Sequence, residues 1–286
     1  MARRAVSLLC LFFSVRMVFG QLPTTSKESE SPIQDNSFLI EEAYNQEPGV
    51  VQHIHSFTRF WNSQSWLYSF TQEWPVPGHA RHQVSYTLSA LQAKADFGSG
   101  FGDLIFHYRY QLVGNGEARV AIAPRISLIL PSGSSRQGTG VGGTGMQSCL
   151  PASIVLNKRM VTHLNLGGTW TPHSIDTAAD RAASYGYNAG GSLIWLTSNR
   201  VNFLLEDIWS SAHQVSRPHG TDVLNILWMA PGVRWAYNFK SGLQIVPGVA
   251  YVAGIGPSSG DHGAWFYLSF EHPMWKEKKR QVETAP

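Results

Sequence analysis

The chain has 286 residues, of which 43% are hydrophobic and 14% are charged, and its formal net charge is +3. Residues 1–20 contain three arginines and no acidic residue, which leaves 19 basic and 19 acidic side chains in the rest of the chain. This balance gives no reason to expect a nucleic acid or an anionic membrane surface as a partner. Cys149 is the single cysteine after residue 20, so a disulfide framework is excluded.

The first 20 residues have the layout of a secretory signal peptide. Arg3 and Arg4 give a basic start, residues 5–13 form an apolar run, and Gly20 ends a short exit of small and apolar residues. The apolar run is too short to cross a bilayer as a helix. We therefore predict export, with cleavage after Gly20.

Beyond residue 20 the composition favours a transmembrane β-barrel. No run of about 18 apolar residues occurs there, so no transmembrane helix is predicted. Aromatic residues nevertheless make up 12% of the chain, which also has 27 glycines. Short alternating strands, aromatic girdles and glycine-containing turns are typical of membrane barrels.

Residues 21–49 differ in kind from the rest. Residues 21–37 are rich in Ser, Thr, Pro and Glu, which predicts a disordered stretch. Residues 38–47 mix apolar and acidic side chains and end at Pro48 and Gly49. Two interpretations stay open for them: a linker, or a short helix or extended segment lying inside or under the barrel.

From Val50 the pattern becomes strand, turn, strand, and it predicts an all-β fold, an antiparallel transmembrane up-and-down β-barrel of about 12 strands over residues 50–272. A strand needs about 9–11 residues to cross a membrane, and most segments have that length or slightly more. The predicted strands are residues 50–62, 65–74, 80–91, 101–113, 118–131, 145–156, 160–171, 183–197, 201–211, 222–238, 242–254 and 263–272.

The predicted connections alternate between short and long. Outer-membrane barrels have tight periplasmic turns and longer external loops, so the alternation places both chain ends in the periplasm. Residues 75–79 then become periplasmic and residues 92–99 external. The short turns are residues 114–117, 157–159, 198–200 and 239–241, and the long stretches are residues 132–144, 172–182, 212–221 and 255–262.

The two faces of the strands have different chemistry. Phe106 and Tyr108 alternate with His107 and Arg109, and successive side chains of a strand point to opposite faces. Bulky apolar residues on one face and small or polar residues on the other predict a lipid-facing exterior and a polar lumen. The charged residues whose phase is inward are Glu73, Arg81, His107, Arg109, Arg119, Arg125, Glu206, Arg234 and Glu271.

These inward charges have two interpretations. In a water-filled lumen they can bind a solute or set ion preference. Alternatively they form a static network of ion pairs that fills the barrel. Individual ion pairs in a wet interior contribute little free energy, so the charges say little about the stability of the barrel.

Two short motifs have residue types that could bind a ligand or a metal ion. Residues 138–143 match G-x-G-x-x-G, but no strand–turn–helix unit surrounds them, so they are predicted to be a flexible loop. His53 and His55 lie two residues apart on one strand face, which could hold a metal ion. The sequence fixes no third ligand, so we interpret them as polar residues of the rim or the lumen. No metal site and no cofactor is predicted.

A lipid-cleaving barrel enzyme would need a base beside a nucleophile on the lipid face. The available pieces are His82, His163, Ser153 and Ser192, and no spacing selects a trio among them. His163 and Ser192 have an inward phase, which argues against lipid chemistry. The chain is predicted not to be an enzyme.

Four stretches resemble a bacterial outer-membrane barrel family, often labelled as transporters or as putative proteins of the phenol meta-cleavage degradation pathway. The resemblance implies an outer-membrane barrel that passes small hydrophobic or aromatic compounds. It is carried mostly by the first half of the chain after residue 20. The stretches are residues 41–53, 70–75, 100–103 and 108–112.

The chain departs from many outer-membrane barrels at its end. These barrels commonly finish on an aromatic residue that the assembly machinery reads, whereas here residues 273–286 form a charged tail, predicted to be periplasmic. Phe270 could serve as an internal version of the signal. Outer-membrane lipid, the barrel-assembly machinery and a small-molecule solute are the expected partners. The function hypotheses are a passive channel, or a plugged barrel with a structural or surface-interaction role.

Overall fold

The computed structural model describes residues 33, 37–95 and 98–274, and the predicted signal peptide, most of residues 21–36 and almost all of the predicted tail lie outside them. Over the described residues, no helix is long and apolar enough to cross a membrane. The regular structure is almost entirely β. The strands are β1 (Val50–Phe60), β2 (Trp66–Val76), β3 (His79–Gln92), β4 (Gly100–Phe101), β5 (Leu104–Tyr110), β6 (Val120–Ile122), β7 (Arg125–Leu130), β8 (Gly145–Asn157), β9 (Met160–Ile175), β10 (Arg181–Leu196), β11 (Val201–Arg217), β12 (Gly220–Trp235), β13 (Tyr237–Asn238), β14 (Gln244–Gly254) and β15 (His262–Pro273).

These strands close into one antiparallel barrel. The long strands pair in the order β1, β2, β3, β5, β7, β8, β9, β10, β11, β12, β14 and β15, and β1 pairs with β15, which joins the first strand to the last. The short strands β4, β6 and β13 pair with β3, β8 and β14. Strands β4 and β5 form one wall position interrupted at Gly102 and Asp103, β6 and β7 form another interrupted at Ala123 and Pro124, and β13 continues β12. Twelve wall positions result, so the predicted fold class is confirmed.

The wall has the two faces that the alternation predicts. Ile126 and Leu166 expose 57% and 62% of their surface, whereas Ser127 and His163 expose 2% and 0%. Large apolar side chains thus cover the outside and polar ones are buried within. This is the arrangement of a barrel in lipid, because a water-soluble barrel buries its apolar face inside.

The prediction of long loops at residues 172–182 and 212–221 is wrong. Strands β9 to β12 continue through most of both stretches, leaving connections of residues 176–180 and 218–219. Polar residues extend these strands because ladder hydrogen bonds satisfy the backbone whatever the side chains. Conversely, the predicted turn at residues 114–117 belongs to a longer connection, residues 111–119.

The loop at residues 131–144 is held by one aspartate. Asp103 Oδ1 accepts a hydrogen bond of 2.9 Å from the Gly133 N–H, and Asp103 Oδ2 accepts one of 2.8 Å from the Val141 N–H. A Cβ on Gly140 would lie 2.6 Å from Asp103 Oδ1, so glycine permits this close approach. The Gly-x-Gly-Asp stretch of the sequence therefore fixes this long loop to the wall.

Candidate functional site in the lumen

Residues 37–46, here called the luminal segment, lie inside the barrel. Glu206 of β11, which has no exposed surface, receives the start of this segment. The Phe38 N–H donates to Glu206 Oε1 at 2.9 Å and the Leu39 N–H donates to Oε2 at 3.0 Å. Beside it, the Ser37 hydroxyl donates to Ser192 Oγ of β10 at 3.0 Å.

The following residues alternate as an extended chain does, and their backbone N–H groups point to wall side chains. All the acceptors are uncharged side chains of the barrel, and they lie towards the end of the barrel where β1 begins and β15 finishes. The segment therefore crosses the lumen near that end, from β11 towards β3. The hydrogen bonds run from Glu41 N to Asn165 Oδ1 (2.7 Å), from Ala43 N to Ser153 Oγ (2.8 Å), from Asn45 N to Gln111 Oε1 (3.0 Å) and from Gln46 N to Gln83 Oε1 (2.7 Å).

Apolar side chains of the luminal segment fit against wall glycines. The Phe38 ring lies 5.2 Å from the Tyr267 ring, and a Cβ on Gly232 would come within 2.9 Å of it. Ile40, 3% exposed, lies where a Cβ on Gly190 would be 2.6 Å from its Cδ1. Glycine in these strands leaves space that the segment fills.

Glu41 binds two guanidinium groups of the wall. Arg109 of β5 donates from Nε to Glu41 Oε1 at 3.1 Å, and its Nη2 also contacts that oxygen. Arg125 of β7 places Nε 2.8 Å from Glu41 Oε2. Arg109 in addition donates from Nη1 to the Tyr44 carbonyl at 2.7 Å, and Glu73 Oε1 lies 3.9 Å from Arg109 Nη2. Charge-assisted bonds of this kind are stronger than those between neutral groups.

A cavity of about 280 Å³ lies beside this cluster. His107 lines it, with Nε2 2.9 Å from Thr87 Oγ1 and Nδ1 2.8 Å from Ser127 Oγ, and Arg125 contacts the same ring. Arg125 Nη2 also donates to Gln147 Oε1 at 3.2 Å. The further lining combines charged with apolar side chains, among them Glu41, Glu42, Glu73, Arg109, Phe38, Ile54 and Tyr267.

The structure separates the nine charged residues predicted to line the lumen. Four of them meet at the cavity, namely Glu73, His107, Arg109 and Arg125. Three others lie elsewhere within the wall: Glu206 holds the luminal segment, Arg234 is fully buried, and Glu271 is partly buried. The remaining two are exposed: Arg81 close to the turn at residues 77–78, and Arg119 at the end of the connection before β6. Their phase is inward, but at strand ends there is no lumen to enclose them.

Sequence reasoning missed the uncharged residues that bind the segment. Asn165, Ser153, Gln111 and Gln83 had a visible alternation signal, since each lies on the inward face of its strand or just beyond it. The alternation did not show which of these residues bind residues 37–46. Many polar residues share the inward phase, and only the path of residues 37–46 selects these four.

Ser153 and His163 lie in the lumen, whereas His53 and His55 lie on the outer face of the wall. Ser153 Oγ lies 2.6 Å from His163 Nδ1, but both are fully buried in the lumen under residues 43 and 44. Of the two places expected for His53 and His55, the rim or the lumen, the lumen is wrong, because Gln52 and the other inward residues of β1 alternate with them. His55 contacts the outward Tyr68 through a 2.7 Å hydrogen bond.

Across the described residues, no group of three His, Cys, Asp or Glu could hold a metal ion. The His53 and His272 rings stack on the outer face, with their Nε2 atoms 3.0 Å apart. Two imidazoles alone do not make a closed metal site.

No protein-family model matches this sequence, and no curated protein sequence matches it. Solved structures do. The NanC porin is 10% identical with a TM-score of 0.52, and the match covers 77% of this chain and 98% of that one. An outer-membrane channel from Pseudomonas putida F1 is 13% identical with a TM-score of 0.55, covering 80% and 97%. The chain has the fold of outer-membrane β-barrel channels. At these identities the likeness carries the fold alone.

Proposed function

We propose that this protein is a passive outer-membrane channel for small solutes, closed at rest by its luminal segment. One observation carries the proposal: residues 37–46 are attached to the wall by side-chain hydrogen bonds and packing, whereas every wall strand pairs with wall strands. Barrel closure therefore does not depend on the segment. It can leave without breaking a ladder of the sheet.

The lining of the lumen supports passage of polar or amphipathic solutes. A barrel interior with charged and amide side chains is suited to water and to solutes that exchange hydrogen bonds with it. Phe38, Ile54 and Tyr267 add an apolar side to the cavity, which is compatible with the hydrophobic or aromatic solutes that the family resemblance implies. The two similar structures are described as a porin and a channel, which favours the same function. Outer-membrane lipid and the barrel-assembly machinery are the partners that such a location requires.

A second candidate is a permanently plugged barrel with a structural or surface-interaction role. The observation that favours it is the number of hydrogen bonds that hold the luminal segment, from Ser37 to Gln46. A lipid-modifying enzyme receives less support, because the hydrogen-bonded Ser153 and His163 face the lumen and not the lipid.

Planar-bilayer conductance of the purified protein distinguishes the first two candidates. We expect low conductance for the chain that keeps residues 21–49 and a stable open level for the chain without them. A full-length variant carrying Phe38→Ala and Ile40→Ala is the companion, since it removes the packing against Gly232 and Gly190 and leaves every wall residue in place. Absence of conductance from both altered proteins, with the barrel folded, would support the plugged barrel.

A further inference from the structure

Glu41 occupies a site that has the form of a carboxylate receptor. Arg109 and Arg125 are direct register partners on the adjacent strands β5 and β7, so both side chains enter the lumen at one level. Arg109 contacts Oε1 of the Glu41 carboxylate, and Arg125 contacts Oε2. Arginine is the side chain best suited to planar recognition of a carboxylate.

The carboxylate in this site does not belong to the wall. Glu41 lies on the luminal segment, and the acidic wall residue beside the pair is Glu73, whose Oε1 is 3.9 Å from Arg109 Nη2. When the segment leaves, the two arginines lose the carboxylate that contacts both of them, and Glu73 stays 3.9 Å from Arg109. Two adjacent guanidinium groups with a single acid beside them favour capture of another anion.

We propose that the arginine pair binds the carboxylate of a small solute, and that the solute competes with Glu41 and so releases the luminal segment. This rests on the proposed channel function and names its substrate class. The adjoining cavity supplies a place for the rest of the solute, with Ile54 and Tyr267 on its apolar side.

The cavity also selects against a second negative charge. Glu73 of the wall lines it together with the arginine pair and stays in place when the luminal segment leaves. A dicarboxylate would place its second group near this acid, and like charges at short range repel. The preferred ligand is therefore a monocarboxylate with a compact apolar body.

Competition between Glu41 and the solute has a measurable consequence. If Glu41 occupies the site at rest, the affinity for solute is reduced by the fraction of molecules in which the site is free. Removing the Glu41 carboxylate should then tighten binding. The coupling is reciprocal, so bound solute must also lower the occupancy of the luminal segment.

The test titrates benzoate, and benzamide as its neutral analogue, into the full-length protein in detergent by calorimetry. We expect Glu41→Gln to bind benzoate roughly tenfold or more tightly than the unaltered protein, because the competitor is gone. Benzamide should bind weakly to both. Glu117→Gln, in the exposed connection before β6, is the matched control and should bind like the unaltered protein.

Combining Glu41→Gln with Arg125→Gln should remove most of the gain. If that double variant does not fold, Glu41→Gln combined with Arg125→Lys is used in its place. Lysine keeps the positive charge but lacks the planar guanidinium, so the loss of benzoate affinity should be smaller. Equal affinity of Glu41→Gln and the unaltered protein for benzoate, or equal binding of benzamide and benzoate, would overturn the carboxylate site.

Conductance in the same benzoate series separates this inference from the channel function. Benzoate should raise the conductance of the unaltered protein, and benzamide at the same concentration should not. Carboxylate-selective binding with no conductance in any variant would refute the channel while leaving the binding site in place. Conductance that rises equally with both compounds would refute the competition and leave the channel.

Discussion

Replacing Glu206 with glutamine should detach the start of the luminal segment. Glu206 accepts the N–H groups of Phe38 and Leu39 on its two oxygens and has no exposed surface. Glutamine has nearly the same shape, so packing is kept. One of its oxygens is replaced by an NH₂ group, however, which cannot accept a hydrogen bond.

The magnitude follows from these two bonds. Losing one hydrogen bond to a charged group costs about 1.5–3 kcal/mol, and a buried N–H left facing another donor adds a desolvation penalty of similar size. Taking about 3 kcal/mol, the lower end of this sum, and a tenfold change for each 1.4 kcal/mol, the detached fraction should rise by at least roughly 100-fold.

Amide hydrogen exchange is the direct assay, because it reports local opening of each N–H. We expect protection of the Phe38 and Leu39 amides to fall by about 100-fold in Glu206→Gln. Glu117→Gln serves as the surface control, and the shift in gel migration on heating shows whether the barrel is still folded. Unchanged protection in a folded Glu206→Gln barrel would refute the assignment of Glu206 as the residue that holds the segment.

Three further predictions concern the wall. Gly232→Val should expel the Phe38 ring, since even a Cβ at this position would lie 2.9 Å from the ring, and planar-bilayer conductance should therefore rise. Gly168→Ala is the control: the nearest atom is 3.4 Å from the added Cβ, so conductance should not change. Asp103→Asn removes one of the two carboxylate oxygens that accept hydrogen bonds from the loop at residues 131–144, and should speed proteolytic cleavage of that loop. Asp261→Asn, at an exposed position, is the control and should not change the cleavage rate. Equal cleavage rates for the two variants would show that Asp103 does not hold the loop. Leu166→Arg places a charge on the lipid face and should lower the free energy of unfolding by about 2–4 kcal/mol in a urea titration, against about 0–1 for Leu156→Arg near a strand end. Similar losses from both would mean that Leu166 does not lie deep in the bilayer.

The fold was largely predictable because its signal is local. Ile126 and Ser127 are neighbours in the chain, and their opposite chemistry is enough to orient that strand. Repeated through the chain, such pairs gave all twelve wall positions and the inward phase of His107, Arg109 and Arg125. Strand ends were less predictable. The stretches at residues 172–182 and 212–221 look like loops by polarity, yet their backbones continue the ladders.

The candidate site was predictable only in part. Strand phase identifies Arg109 and Arg125 as inward residues, and the acidic and apolar mixture of residues 38–47 allowed either a linker or a luminal segment. Nothing local indicates that Glu41 contacts Arg109 or that Gly232 makes room for Phe38. Those contacts join residues far apart in the chain and exist only when the barrel is closed.

The sequence by itself thus determined the two-faced strands, their number and the class of fold, because alternation between lipid and lumen is set residue by residue. The tertiary structure decided what fills the lumen. The wall presents many polar groups of the same phase, and which of them pair with residues 37–46 depends on the diameter and register of the closed barrel. Whether an inward charged residue binds a solute or holds the luminal segment therefore depends on the assembled wall and not on any one strand.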